Sequence, residues 1–140
     1  MKKFTYNGRV RLVLFVFSLI VLSACATSGG VNSSIEKRVD ERWNLLFSGD
    51  LAGAYEYLSP GYRSSVSSIQ YQRAVLLQQV KWTDATYIES DCSEVTCKVK
   101  ILLGYSVYGA VPGAQEFKGQ QTVVESWVLV DDNWYMVPKK

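Results

Sequence analysis

The chain is predicted to be an α+β protein, with about three N-terminal helices packed on a curved antiparallel sheet of at least four strands. Two observations predict it: apolar residues recur near a 3.6-residue period between residues 35 and 80, then near a two-residue period beyond residue 81. A third bounds it. The 140 residues open with an apolar leader, and what remains suits one small domain rather than two.

The leader comes first. Residues 2–11 carry Lys2, Lys3, Arg9 and Arg11 with no acidic residue, and residues 12–22 form an apolar run broken only by Ser18. At about 1.5 Å per helical residue such a run reaches roughly 16 Å, half of a ~30 Å hydrocarbon core. This is the pattern of a secretory signal peptide. The sequence Leu22-Ser23-Ala24-Cys25 that closes it resembles the lipobox of bacterial lipoproteins. That resemblance implies removal of residues 1–24, diacylation of the Cys25 thiol and acylation of the new amino terminus. Two or three acyl chains anchor effectively for good. Ala26 follows the cysteine where enteric inner-membrane lipoproteins typically carry Asp, so the resemblance implies the inner leaflet of the outer membrane, facing the periplasm. Residues 25–32, rich in Ser, Gly and Thr, read as a lipidated tether and residues 33–140 as a single α+β domain.

Cleavage changes the charge. The whole chain has a formal charge of +2, but residues 1–24 hold four basic and no acidic side chains, leaving 11 Lys and Arg against 13 Asp and Glu. The mature protein is mildly acidic and has no basic stripe, which excludes nucleic acid as a partner.

Ser33-Ser34-Ile35-Glu36 has the spacing of a capping box, so the first helix is expected to start there. Ile35, Val39, Trp43, Leu46 and Phe47 form its apolar stripe and Gly49 its C-terminal stop. Asp50 is placed to cap a second helix in which Leu51, Ala54, Tyr55 and Leu58 share a face, ended by Ser59-Pro60-Gly61. Ser67, with Gln70 three residues on, caps a third, whose inner side is read as Val66, Ile69, Leu76, Leu77 and Val80. Cys97, Val99, Ile101, Leu103, Tyr105 and Val107 then make the core face of a long strand, with residues 82–91 as its antiparallel partner. Residues 117–130 and 134–137 make a second hairpin across Asp131-Asp132-Asn133.

This element order, the segment Ala54-Tyr55-Glu56-Tyr57-Leu58-Ser59-Pro60 and the closing Trp127 and Trp134 hairpin resemble the nuclear-transport-factor-2-like (NTF2-like) superfamily. The resemblance covers residues 33–138 and implies a cone, a curved sheet wrapped on helices. A plain sandwich with helices on one face of a flat four-stranded sheet is the alternative.

Chemistry is narrowly bounded. There is no histidine, which removes the commonest general base, the imidazole metal ligand and every Ser-His or Cys-His nucleophile. No phosphate-cradling loop, dinucleotide fingerprint, calcium loop or zinc spacing is present, so no cofactor and no metal is expected. Cys92 and Cys97, left over once Cys25 carries lipid, are expected to form a disulfide in an oxidising compartment, fixing the register of the first hairpin. Arg73 and Glu125 are charged residues on apolar faces. One reading makes them a buried ion pair; the other makes Glu125 a general base in the cone, with Tyr55 or Tyr105 donating to an oxyanion. The aromatic residues either pack the core, with Trp127 and Trp134 paired across their hairpin, or line a pocket for a flat apolar ligand. Residues 108–115 either overhang the opening of the cone or simply connect strands.

The expectation that follows is a non-enzymatic, lipid-anchored envelope protein, held at the membrane by its N-terminal lipid, whose domain binds another envelope protein or a second copy of itself. A carrier of a small apolar ligand is the alternative, and an acid-base enzyme centred on Glu125 the third reading.

Overall fold

The computed structural model describes residues 29–109, 113 and 115–139; the leader, Cys25 and half of the connection expected at 108–115 lie outside the described residues. Among the described residues four helices precede four strands: α1 (Gly29–Ser48), α2 (Leu51–Tyr55), α3 (Pro60–Arg63), α4 (Ser68–Leu76), β1 (Val80–Cys92), β2 (Thr96–Tyr108), β3 (Glu116–Val130) and β4 (Asn133–Val137).

Helix α1 starts at Gly29, and its backbone runs through Ser33, so the expected capping box there is not used. No proline interrupts residues 29–32, and each poor helix former there costs less than about 1 kcal/mol. Residues 29–32, expected in the tether, are part of this helix. Gly49, at φ +80°, ends the helix in the left-handed conformation that only glycine adopts without strain. Asp50 caps α2 by accepting from the Gly53 amide at 2.8 Å. The helix ends at Tyr55, before Leu58 and the expected stop at Ser59-Pro60-Gly61, which instead begins α3: the Ser59 hydroxyl accepts from the Tyr62 amide and Pro60 occupies the first turn. The Ser67 capping box forms as expected, Ser67 accepting from the Gln70 amide and Gln70 Oε1 from the Ser67 amide at 2.8 Å.

The phase of α4 differs from expectation. Tyr71 is its buried residue and Val75 packs on the core, while Ile69, Leu76 and Leu77 are 71, 74 and 75% exposed. A nine-residue helix has two short apolar rows to offer, and the one that meets Tyr55 and Leu58 of the neighbouring segment is the row buried here.

The strands form one antiparallel sheet in the order β1-β2-β3-β4. Cys92 sits opposite Cys97 and a disulfide joins them, so the first hairpin has the expected register. The β3–β4 turn is Asp131-Asp132, at φ 47° and 61°, the two left-handed residues of a type I′ turn. Trp127 lies opposite Met136, and Trp134 opposite Leu129, so the two indoles are not the cross-strand pair expected. Both are buried in the core instead, at 1 and 2% exposure.

The inner face of the sheet (Cys97, Val99, Ile101, Leu103, Trp127, Trp134) meets the α1 stripe of Ile35, Val39, Trp43 and Leu46. The outer face carries Lys98 and Lys100, the latter paired with Glu89. Toward Ser106, which is fully buried, both faces of β2 are covered; the Asp84 side chain lies against Gly104, where a Cβ would collide with it. Both edges are blunted. Two register shifts, at Trp82/Asp84 and Tyr87/Glu89, interrupt β1. The β4 edge is covered by the segment before α3: Leu58 bridges Met136 in parallel, the Met136 amide donates to Tyr57 O and the Ser59 amide to Met136 O, each at 2.8 Å.

Candidate functional site

Glu125 lies on the inner face of β3 between Val123 and Trp127, where the two-residue period places it. Its partner is Arg42 and not Arg73. Arg42 occupies the α1 stripe, three residues after Val39 and four before Leu46, and its Nη1 donates to Glu125 Oε1 at 3.0 Å. The Trp127 indole donates to Glu125 Oε2, also at 3.0 Å. Both charged side chains are nearly closed to water, at 5 and 7% exposure. The Arg42 guanidinium also sits 5.3 Å from the Trp43 ring, and its Nε is buried without a protein acceptor. Arg73 is exposed on the outward side of α4, a consequence of the helix phase. The clue to Arg42 was a charged residue at a stripe position; it was missed because only apolar members of that stripe were counted.

Tyr71 stands over this pair from α4. Burial raises its phenol above the ordinary tyrosine value, with the Arg42 guanidinium pulling the other way and Glu125 adding a small upward push. Tyr71 also packs on Tyr55, ring centroids 5.8 Å apart. The Tyr55 hydroxyl donates to Val66 O at 2.7 Å, which commits it to holding the α3–α4 connection. Tyr105 is six residues along β2 from Val99, the position opposite Glu125, or roughly 20 Å at strand rise. It lies instead against Gly119 and near Phe117. The expected trio of Glu125 with Tyr55 or Tyr105 is therefore not assembled.

A second polar cluster gathers around Arg38, one turn before Arg42 on α1. Arg38 donates to Trp134 O at 3.1 Å and stacks over the Tyr57 ring at 4.0 Å, while the Tyr57 hydroxyl donates to Glu41. Burial, then the hydrogen bond to Glu41, raises the Tyr57 phenol.

Two open grooves accompany these clusters. One, of about 680 Å³, runs on the outer side of the sheet beside α3 and is lined by Pro60, Lys98, Ser126, Val128, Val130 and Val137. The other, of about 590 Å³, lies where the ends of α1 and α4 meet the start of β1. Among the described residues no group of three or more His, Cys, Asp or Glu converges as a metal site.

The architecture is α+β, helices packed on one face of a single four-stranded antiparallel sheet, and is consistent with the NTF2-like fold. Among solved structures the chain is similar to the crystal structure of an NTF2-like protein from Campylobacter jejuni, provisionally described as a transpeptidase. The two share 14% identity at a TM-score of 0.50, over 74% of this chain and 97% of that one. At that identity the likeness concerns the fold. No protein-family model matches the chain, and no curated protein matches it.

Proposed function

We propose that the chain is a lipid-anchored cell-envelope protein whose NTF2-like domain is a non-catalytic binding module, held by acyl chains on Cys25 at the periplasmic face of the outer membrane. The observation that carries the binding half is the state of Glu125. The carboxylate that a catalytic reading would need is 7% exposed, with one oxygen on Arg42 and the other on Trp127, a structural arrangement with little access for a substrate. The anchoring half rests on Leu22-Ser23-Ala24-Cys25 and the basic, acid-free leader before it. With α1 starting at Gly29, only residues 26–28 separate Cys25 from the helix, a reach of at most about 14 Å. The domain thus rides close to the lipid.

A second reading, a carrier of a small apolar ligand, draws on the 680 Å³ groove, whose exposed lining is mostly apolar. Growth of cells with an alkyne-bearing fatty acid tests the anchor: label on the wild-type protein, lost in Cys25→Ser, is expected. An unlabelled wild-type protein recovered free of membranes overturns it. Crosslinking the anchored protein in intact cells tests the binding module, and native mass spectrometry that finds a retained small ligand favours the second reading instead.

A further inference from the structure

The row of α4 that faces outward is more apolar than a solvent-facing row has reason to be. Ile69, Leu76 and Leu77 are 71, 74 and 75% exposed, and Phe47 and Val80 beside them 40% each. Leu76 and Val80 continue into the 590 Å³ groove, whose other walls include Leu46, Phe47, Leu51 and Trp82. Two basic side chains border this surface. Lys81 lines the groove, Arg73 lies one turn before Leu76 on the exposed side of α4, and neither has an ion-pair partner among the described residues. Three acidic groups on the neighbouring elements are already engaged: Asp50 caps α2, Asp84 accepts from Thr83, and Glu89 pairs with Lys100.

From this arrangement we propose that the groove and the α4 row receive one amphipathic helix of a partner protein. Its apolar row seats between Phe47, Leu76 and Trp82, and acidic residues flanking that row meet Arg73 and Lys81. The shape is that of helix-in-groove recognition, with charge choosing the partner. A second copy is disfavoured by the same charges, since a two-fold axis through the α4 row brings Arg73 and Lys81 toward their own copies. Among residues 34–48 the exposed row of α1 offers acid in Glu36 and Asp40, and its one exposed apolar side chain, Phe47, already belongs to the groove. Lipid is disfavoured by position. On the anchored reading above, on which this point alone rests, the start of α1 is the end next to the bilayer, and Phe47 lies about 27 Å along the helix from Gly29.

The test uses the mature protein, residues 25–140 with Cys25→Ser so that it carries no lipid, and two probe helices of equal length with Leu at i, i+4 and i+7, one flanked by Glu and one by Lys. Binding is followed by amide chemical shifts and by Trp82 fluorescence. The expected result is at least about tenfold tighter binding of the Glu helix at low salt, narrowing as salt rises, with shifts confined to groove residues. Leu76→Ser/Leu77→Ser should abolish binding, and Arg73→Glu/Lys81→Glu should reverse the preference. These side chains are exposed, so unchanged circular dichroism will show both variants folded. Equal binding of the two probes, or none up to millimolar concentration, overturns the proposal. So does tighter binding to phosphatidylglycerol vesicles through the same residues, or concentration-dependent dimerisation that Leu76→Ser/Leu77→Ser removes. Loss of fatty-acid label at Cys25 would undo the anchoring without touching any of these readouts, so the two proposals fail separately.

Discussion

Replacing Arg42 by Met tests the central ion pair most directly. The substitution keeps the stem that packs in the α1 stripe and removes the cation. Glu125 then retains one hydrogen bond, from Trp127, while its other oxygen, in a side chain 7% exposed, faces no donor. Removing one partner of a buried pair costs about 3–5 kcal/mol. That is a large part of the roughly 5–15 kcal/mol by which a small domain is ordinarily stable. Glu125→Gln should cost less, about 2–3 kcal/mol, because the amide oxygen still accepts from one neighbour while the Arg42 charge loses its counter-ion. In Arg42→Met/Glu125→Gln no buried charge remains, and the introduced amide's oxygen is free to take the Trp127 N–H. The double variant should therefore be less destabilised than the two single costs combined, by about 2 kcal/mol or more. Urea unfolding followed by tryptophan fluorescence, with the disulfide intact and equal slopes required across the four proteins, measures the cycle. Additive costs, or an Arg42→Met cost below about 1 kcal/mol, would refute the claim that this pair is buried and mutually dependent.

The Cys92–Cys97 bridge closes so short a loop that its removal as a Cys→Ser pair should cost only about 2 kcal/mol, read from the urea midpoint, and leave the hairpin paired. Gly104→Ala, whose Cβ would press on the Asp84 carboxylate, should cost about 1–3 kcal/mol, and the addition of Asp84→Ala should recover part of that. Because the Tyr71 phenol is raised when folded, its contribution is complete below the unfolded value near 10 and is lost as pH climbs through the folded one. Thermal melts should therefore drop less steeply above about pH 10 in Tyr71→Phe than in wild type.

Much of the fold was legible because local signals and burial agree in it. The caps at Asp50 and Ser67, the Ile35-Val39-Trp43-Leu46 stripe and the facing of Cys92 and Cys97 each follow from a spacing that has one physical solution. The failures share a cause: two local solutions were near equal and a distant segment decided. At Ser33 a helix start and a helix interior compete, and α1 continues back to Gly29. In α4 the Ile69-Leu76-Leu77 row and the Tyr71-Val75 row compete, and the second wins where Tyr55 and Leu58 receive it. That choice carries Arg73 outward and leaves Glu125 to Arg42, whose place in the stripe becomes meaningful only once β3 is known to lie across it. The Arg38 stack on Tyr57 joins three segments and has no signature in any one of them.

The latch at Met136 bears on when the domain can exist at all. Met136 receives and supplies the backbone hydrogen bonds of Tyr57 and Ser59, and Arg38 reaches the carbonyl of Trp134, 96 residues away. The helical half is thus completed by β4, the element formed last in chain order. A chain that emerges amino end first has no closing strand until Met136 is out, and long-range closure of this kind is slow to form. Delay of that sort leaves the helical half without its closing contacts until the chain is nearly complete. It also makes β4 a checkpoint: a product truncated before Trp134 would lose that strand and, with it, the dock for the loop between α2 and α3.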